Sequence, residues 1–384
     1  MKRRHITAMF GLMIMAMAVG ISVCAEENTD AAAQAIADRK EEAEESGEYE
    51  KVVFAFYNWT GRPAGTDRIQ EKINERIRDT LGLEVELLVM DSAAYTQNAR
   101  LMLSSGEQID IWNSCPLGYT ACVNDGYCLD LEEDDLIQTY GQGILDTVNA
   151  DYVQACRVSG TLYGLPQMRD MAMGAGAYCI GQEYLDGIGF DYTSMYEDPE
   201  NPDIIYTDYE TLDNIFAQLH EKYPDKYVFA ISDNMIGQGT IVDSVGGDYF
   251  GVLLDPANSL QVENLFTSDI FKETCQRVYE WNQKGYISQD AVTNDTALSA
   301  QVKSGSYMSM MAQAKPGYST QISGECGRPM VVFQVEPDIM KSSAVTGILW
   351  HLNQGCEDPI AAMQLLNAFY TDPELSNLII WGEE

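Results

Sequence analysis

The sequence predicts an α/β protein, and three observations carry that reading. Runs of β-branched and aromatic residues alternate with amphipathic stretches, giving β-α-β-α-β over about 60 residues from Lys51 onward. From residue 133 the pattern becomes longer and more helical. The composition, 46% apolar and 10% aromatic against 21% charged, can fill a sizeable core and excludes wholesale disorder. At 384 residues the chain is long enough for about two to three domains.

The N-terminal stretch predicts export. Lys2, Arg3 and Arg4 precede an apolar run from Ile6 to Val23, which meets Cys24-Ala25 and turns acidic at Glu26. A membrane anchor is the rival reading, since about 18–20 apolar residues can span a bilayer. No basic stop-transfer patch follows, and Gly11, Gly20 and Ser22 dilute the run, so residues 1–25 are read as a signal peptide. Two exits compete. Val23-Cys24-Ala25 suits ordinary cleavage after a small residue, whereas Ile21-Ser22-Val23-Cys24 resembles a lipobox that would leave Cys24 lipidated. Val23 departs from the Gly, Ala or Ser usual before a lipobox cysteine. Residues 26–50, rich in acids, Ala and Ser, are expected to be a disordered spacer.

The first strand is expected over Lys51–Tyr57 and is followed by a turn-rich loop from Asn58 to Gly65. Thr66 or Asp67 then opens a helix with the apolar stripe Ile69, Ile73, Ile77 and Leu81, closed by Gly82. A second strand over Glu84–Met90, a helix over Ala93–Leu103 and a third strand over Ile109–Trp112 complete the opening of a mostly parallel sheet. In such sheets ligands sit beyond the carboxyl ends of the strands, where Asn58-Trp59 and Trp112-Asn113 stand. An aromatic just past a strand end, twice, suggests a binding cleft, with core packing as the alternative for each.

Further along, a helix is expected over Asp134–Val148, weakened by Gly141 and Gly143. Arg157–Pro166 reads as a hairpin turning at Ser159-Gly160, its second strand stopped by Pro166. Asp208–Lys222 and Asp269–Lys284 are amphipathic helices, and Trp281 belongs to the buried stripe of the second. The acidic stretch Asp191–Asp208, with Pro199 and Pro202, reads as an inserted loop and lacks the ligand spacing of a calcium-binding loop. Glu357-Asp358-Pro359 starts a helix carrying Ile360, Met363, Leu366 and Phe369, and Asp372-Pro373 opens another with Leu375, Leu378 and Ile379.

Charge and cysteine usage narrow the function classes. Lys and Arg number 23 against 59 Asp and Glu, a net charge of −36, so nucleic acid and anionic membrane surface are poor partners. Loss of residues 1–25 would remove three bases and no acid, leaving −39. With three histidines (His5, His220 and His351) a His-rich metal centre or relay is disfavoured, and no cofactor or metal is expected. Beyond Cys24, eight cysteines remain with no C-x-x-C spacing, which reads as buried free thiols, although an exported chain permits disulfides.

Four stretches, in order, resemble the extracellular solute-binding proteins of carbohydrate ABC importers, the broad family containing maltose-binding protein. They are Val158–Pro166; Trp281–Ile287 with Asp290; Val302–Met310 with Lys315-Pro316-Gly317; and Asn353–Glu374. The likeness spans Lys51 to Glu384 and is nearest to the lipoprotein-type binders of Gram-positive gut bacteria. It implies a two-lobed periplasmic-binding-protein-like α/β fold with crossing hinge segments, closing on a solute between the lobes. Lobe one would be 50–172 plus 298–345, and lobe two 173–297 plus 346–384. The implied function is capture of an extracellular solute, an oligosaccharide, for delivery to ABC permease subunits by a non-catalytic monomer outside the cytoplasmic membrane. Sugar binding wants aromatic faces for C–H surfaces and planar polar groups for hydroxyls. The residues available for it are Asn58, Trp59, Trp112, Asn113, Gln167, Arg169, Asp170, Tyr178, Tyr318 and Trp350, with a surface ion pair as the alternative for Arg169 and Asp170. A secreted carbohydrate-active enzyme and a non-transport surface or sensor protein are the rival functions. Family members usually continue past the helix at Asp372, so lobe two is expected to be incomplete and to show an unfilled apolar groove near residues 360–380.

Overall fold

The computed structural model describes residues 28–383 apart from 59, 60, 116, 232–238, 246–249 and 295. The export signal, Cys24 and Trp59 therefore lie outside the described residues. The chain divides into two compact units, one comprising the chain up to Met168 together with Val345 onward, the other Arg169–Ala344.

The first unit is built on a five-stranded sheet in the order Leu83–Asp91, Glu50–Asn58, Ile111–Asn113, Leu349–Leu352, Leu165–Pro166. The first three strands are parallel, with Glu50↔Leu83 through Asn58↔Asp91 in register. The helix Thr66–Leu81 supplies the crossover between the first two, burying Ile73, Ile77 and Leu81. It ends as its glycine demands: Gly82 adopts φ 69° and its N–H closes on the Arg78 carbonyl at 3.2 Å. Asn74, buried on the same face, pins helix to sheet by accepting from Val85 N at 2.7 Å and donating to Val85 O at 3.2 Å. Ser159 (φ 53°) and Gly160 (φ 94°) make the tight turn expected between the short strands Arg157–Val158 and Thr161–Leu162. Leu165–Pro166 then leaves this hairpin and closes the edge of the main sheet, a position where proline's missing N–H costs nothing.

The second unit holds a six-stranded sheet around the long strand Ala172–Gly181. Tyr307–Ala314 and Met330–Gln334 flank it antiparallel, and Tyr227–Ala230 and Ile204–Tyr206 add parallel to these at the two edges. The core on one face is aromatic. Phe216 and Phe229 lie 5.2 and 5.3 Å from the Trp281 ring, and Trp281 donates to Asp213 Oδ1 at 2.7 Å. The stretch read as an acidic inserted loop contributes more than a loop. It supplies the edge strand Ile204–Tyr206, and Asp203 accepts from Gly317 N at 2.6 Å and Ser319 N at 3.0 Å, capping the helix Tyr318–Cys326.

Three expectations need correction. The segment after residue 298 belongs to the second unit, because Tyr307–Ala314 pairs with Ala172–Gly181 from Ser309↔Ile180 onward. The segment after 345 belongs to the first, because Leu349–Leu352 enters that sheet beside Ile111–Asn113 and carries the last two helices with it. The lobe boundaries 298–345 and 346–384 are thus exchanged, and any groove near residues 360–380 lies on the first unit. Residues 28–46 are a helix rather than a disordered spacer. Its inward stripe of Ala32, Ile36, Arg39 and Ala43, spaced four, three and four apart, packs on the first unit. Finally, the helix expected over 134–148 is broken into Leu136–Tyr140 and Gln142–Thr147, after Asp134 and Asp135 adopt positive φ.

Among the described residues no helix is long and apolar enough to cross a membrane. The eight described cysteines are free, and five of them are buried. Burial alone pushes the Cys156 thiol up to about 12.

Candidate functional site

The first unit's sheet has two aromatic faces, and strand alternation decides which residues share each. On one face Trp112 lies against His351 with ring centroids 4.8 Å apart, and Tyr119 stacks on the same imidazole at 5.3 Å. Tyr95 closes this side, exchanging hydrogen bonds with Asn113 through its hydroxyl (2.8 Å to Asn113 O, 3.1 Å from Asn113 N). His351 Nδ1 sits 2.6 Å from the Tyr163 carbonyl and so must carry a proton. Burial pushes the imidazole down to about 4, so it is neutral at physiological pH. This face is closed core.

The opposite face is open. Phe54 and Phe56, two apart on the first strand, meet Trp350 edge-on at 4.9 and 6.3 Å, and Phe369 packs on Phe54 at 5.6 Å. Above them a cavity of about 280 Å³ is lined by Phe54, Gln167, Met168, Trp350, Leu366, Phe369, Tyr370, Ser376, Ile379 and Ile380. Its walls are mostly apolar, with the Gln167 amide as a planar polar group and Ser376 nearby. The Tyr370 hydroxyl is already used, donating to Pro166 O at 2.6 Å. A second cavity of about 300 Å³ lies alongside and shares Ile379 and Ile380; Phe56, Asn58, Ile69 and Trp381 are among its walls. The helices Pro359–Thr371 and Pro373–Trp381 form the roof, each starting with proline and capped by the preceding aspartate (Asp358 from Ala361 N at 2.9 Å, Asp372 from Glu374 N at 3.0 Å). Arg76 fixes the second of them by pairing with Asp372 at 2.6 Å.

The structure brings Gln167 and Trp350 together and puts Asn58 at the neighbouring cavity. Two expected aromatic contacts are corrected. Trp112 is 1% exposed on the closed face, and Tyr178, equally buried, is a core ring of the second unit, T-shaped to Trp281 at 5.9 Å. Neither offers a face to a ligand. Asn113, 2% exposed, is likewise interior. Arg169 and Asp170 fall in the second unit. Arg169 donates to Ala344 O at 2.7 Å, and Asp170 is exposed 3.7 Å from Lys315. Tyr318 is half-buried at the start of its helix, where burial raises its phenol far above the usual range. Phe54 and Phe56 fall in the expected first strand and Phe369 on the expected helix face, and neither they nor Tyr370 are among the residues expected at a ligand. The adjacent pair Phe369-Tyr370, which extends beyond a one-sided helix stripe, was the available signal. Among the described residues no group of three or more His, Cys, Asp or Glu side chains is arranged to hold a metal ion.

No family model matches the chain. A carbohydrate ABC transporter substrate-binding protein of Streptococcus pneumoniae serotype 4 is 22% identical over 372 residues, covering 97% of this chain and 70% of that protein. Among solved structures, the N-glycan transport solute-binding protein NgtS of Streptococcus pneumoniae superposes with a TM-score of 0.72 at 21% identity, over 87% of this chain and 70% of the other. An ABC substrate-binding protein of Listeria monocytogenes in complex with cycloalternan gives 0.58 at 10% identity, over 86% of this chain and 78% of that one. The galacto-N-biose/lacto-N-biose I-binding protein of Bifidobacterium longum, in complex with lacto-N-biose, gives 0.53 at 17% identity, over 85% and 76%. The chain therefore has the two-lobed fold of the sugar-binding proteins of ABC importers.

Proposed function

We propose that this protein is the solute-binding component of an ABC importer, that its solute is an oligosaccharide, and that it works with permease subunits as a non-catalytic monomer. The observation that carries the reading is the fold agreement with NgtS at a TM-score of 0.72 across 87% of the chain. The open aromatic face supports it, since Trp350 beside the Gln167 amide offers a C–H-stacking surface next to a planar hydrogen-bonding group. Asn58, Gln167 and Trp350 are the contacts we assign on the first unit, with Trp59 adjoining Asn58 in sequence. Arg169, Asp170 and Tyr318 are those we assign on the second. The acidic balance, 59 carboxylates against 23 bases, favours a neutral solute over an anion. Residues 1–25 serve as the export signal in this reading, with Cys24 either lipidated or removed.

A thermal-shift panel of neutral oligosaccharides tests the proposal on the protein. Binding to the folded state alone raises stability by RT ln(1 + [L]/Kd), about 2.7 kcal/mol at a hundredfold excess over Kd. At least one glycan should therefore raise the midpoint by several degrees without being consumed. A panel with no shift, or steady release of reducing ends, would overturn the reading.

A further inference from the structure

At one end of the second unit's sheet the fold itself aims an exposed carboxylate. The strands Ile204–Tyr206, Tyr227–Ala230, Tyr307–Ala314 and Met330–Gln334 all run the same way, each antiparallel to Ala172–Gly181, so their carboxyl ends lie together. Ligands of α/β sheets sit beyond such ends. This is also the end at which the chain enters the unit, at Arg169, and leaves it, at Ala344. Past Gln334 the chain rejoins the sheet, and Asp338–Met340 pairs with Ala172–Gly174. Gln334 lies opposite Ala177 and Asp338 opposite Gly174, so four steps on one strand meet three on the other. The extra residue is a bulge, which re-aims the side chains around it.

Two hydrogen bonds then fix Asp338. Gln334, 0% exposed, donates from Nε2 to Asp338 Oδ1 at 2.7 Å and to the Glu336 carbonyl at 2.8 Å. Tyr206, opposite Gln334 in register, donates its hydroxyl to Asp338 Oδ2 at 3.2 Å. The Gln334 amide lies over Gly174, where any Cβ would overlap it. Its own oxygen is buried with no donor among the described residues. Turning the amide over would set that oxygen against a carbonyl and a carboxylate, so the unmet acceptor is the cost of keeping both N–H groups where they are. Stability gains little from this, because water could serve an exposed carboxylate equally well. Preorganisation gains more: each oxygen of Asp338 holds one protein donor and keeps room for another, beside a Tyr206 ring that is 46% exposed.

We infer that Asp338 and Tyr206 form a subsite on the second unit for one neutral sugar ring, with Gln334 as its positioning residue. The inference rests on the reading of the protein as an oligosaccharide binder and names the chemistry of one contact. A carboxylate accepts and cannot donate, so what it binds must bring hydrogen-bond donors and no negative charge. An exposed phenol ring wants an apolar C–H face. A pyranose presents both, its hydroxyls donating to Asp338 and its C–H face covering Tyr206.

Thermal shift of the full chain against neutral oligosaccharides, with maltotriose, cellotriose, mannotriose and lacto-N-tetraose among them, selects a ligand, and titration calorimetry then compares variants. Asp338→Asn should weaken binding about tenfold, as expected for a hydrogen bond to a charged group. Tyr206→Ala should cost more affinity than Tyr206→Phe, because only the first removes the ring. Unliganded melting midpoints of all three should stay near that of the unaltered protein, since both side chains are exposed. Gln334→Met should weaken binding on its own and add nothing to Asp338→Asn, the non-additivity of a residue that acts through another. A glycan held equally well by Asp338→Asn and Tyr206→Ala would overturn the subsite and leave the binding function standing. Affinity losses matched by falls in the unliganded midpoint, or a Gln334→Met effect that persists in Asp338→Asn, would overturn the assigned roles. A panel with no binder would overturn the subsite together with the reading it rests on.

Discussion

Which way a single ring points decides whether it is core or contact. Trp112 and Trp350 lie on neighbouring strands, one register position apart: Trp350 is opposite Asn113, and Trp112 is opposite His351. Because side chains alternate along a strand, that single step places them on opposite faces of the sheet. Trp112 is expected at a strand end and Trp350 only as an available aromatic contact, and nothing local distinguishes the closed face from the open one. Gln167 was legible because it follows the hairpin directly, where the chain leaves the first unit's sheet. The consequence is testable once the glycan panel yields a ligand. Gln167→Ala should weaken its binding about fivefold, the loss of a hydrogen bond of about 1 kcal/mol. Trp112→Phe should leave affinity unchanged, because its indole never reaches the cavity. Titration calorimetry comparing the two decides the matter, and a larger affinity loss from Trp112→Phe would reverse the assignment of faces.

At the scale of elements, the chain announces its ends better than its breaks. Gly82, Asp208, Asp358-Pro359 and Asp372-Pro373 each mark a helix boundary in the sequence and cap one in the structure. The helix over 28–46 escaped notice because its buried stripe consists largely of alanine and an arginine stem, which give hardly any hydrophobic periodicity. The break at Gly141 has a cause far away in the chain. The helix Pro359–Thr371 crosses there so closely that a Cβ on Gly141 would stand 2.8 Å from Met363 Sδ, while Ile137 Cγ1 of the preceding turn would lie 2.9 Å away, and Asn367 accepts from Ile144 N at 3.0 Å. Gly141 has φ −121°, so alanine would meet no backbone strain, only crowding. Gly141→Ala should therefore cost about 1–3 kcal/mol. Gly324, inside the helix Tyr318–Cys326 with nothing near its missing Cβ, is the contrast. Gly324→Ala should add about 0.5–1 kcal/mol. Denaturant midpoints at constant m report both, and a shift of the same sign at the two sites would refute the packing argument.

At the scale of the whole molecule, the opening β-α-β-α-β and the last two helices were legible, but the strands Ala172–Gly181, Tyr307–Ala314 and Leu349–Leu352 and their wiring were not. Tyr307–Ala314 and Leu349–Leu352 are both short apolar strands, and either could add antiparallel to either sheet. Only long-range pairing, to Ala172–Gly181 for one and to Ile111–Asn113 for the other, assigns them. The outcome is two units with separate hydrophobic cores, joined by chain crossings at Met168–Arg169 and Ala344–Val345. Separate cores need not melt together, since multidomain chains commonly depart from two-state unfolding. Phe216 sits inside the second core, in ring contact with Tyr178, Phe229, Trp281 and Tyr286, whereas Ile77 is fully buried between helix and sheet in the first. Phe216→Ala should cost about 3–5 kcal/mol and Ile77→Ala about 2–5 kcal/mol, each within its own unit. At roughly 2–4 °C per kcal/mol for units of this size, scanning calorimetry should resolve two transitions. Phe216→Ala should lower one of them by roughly 10 °C and leave the other in place, and Ile77→Ala should do the converse. A single endotherm that both substitutions displace as a whole would show that the two cores unfold as one cooperative body.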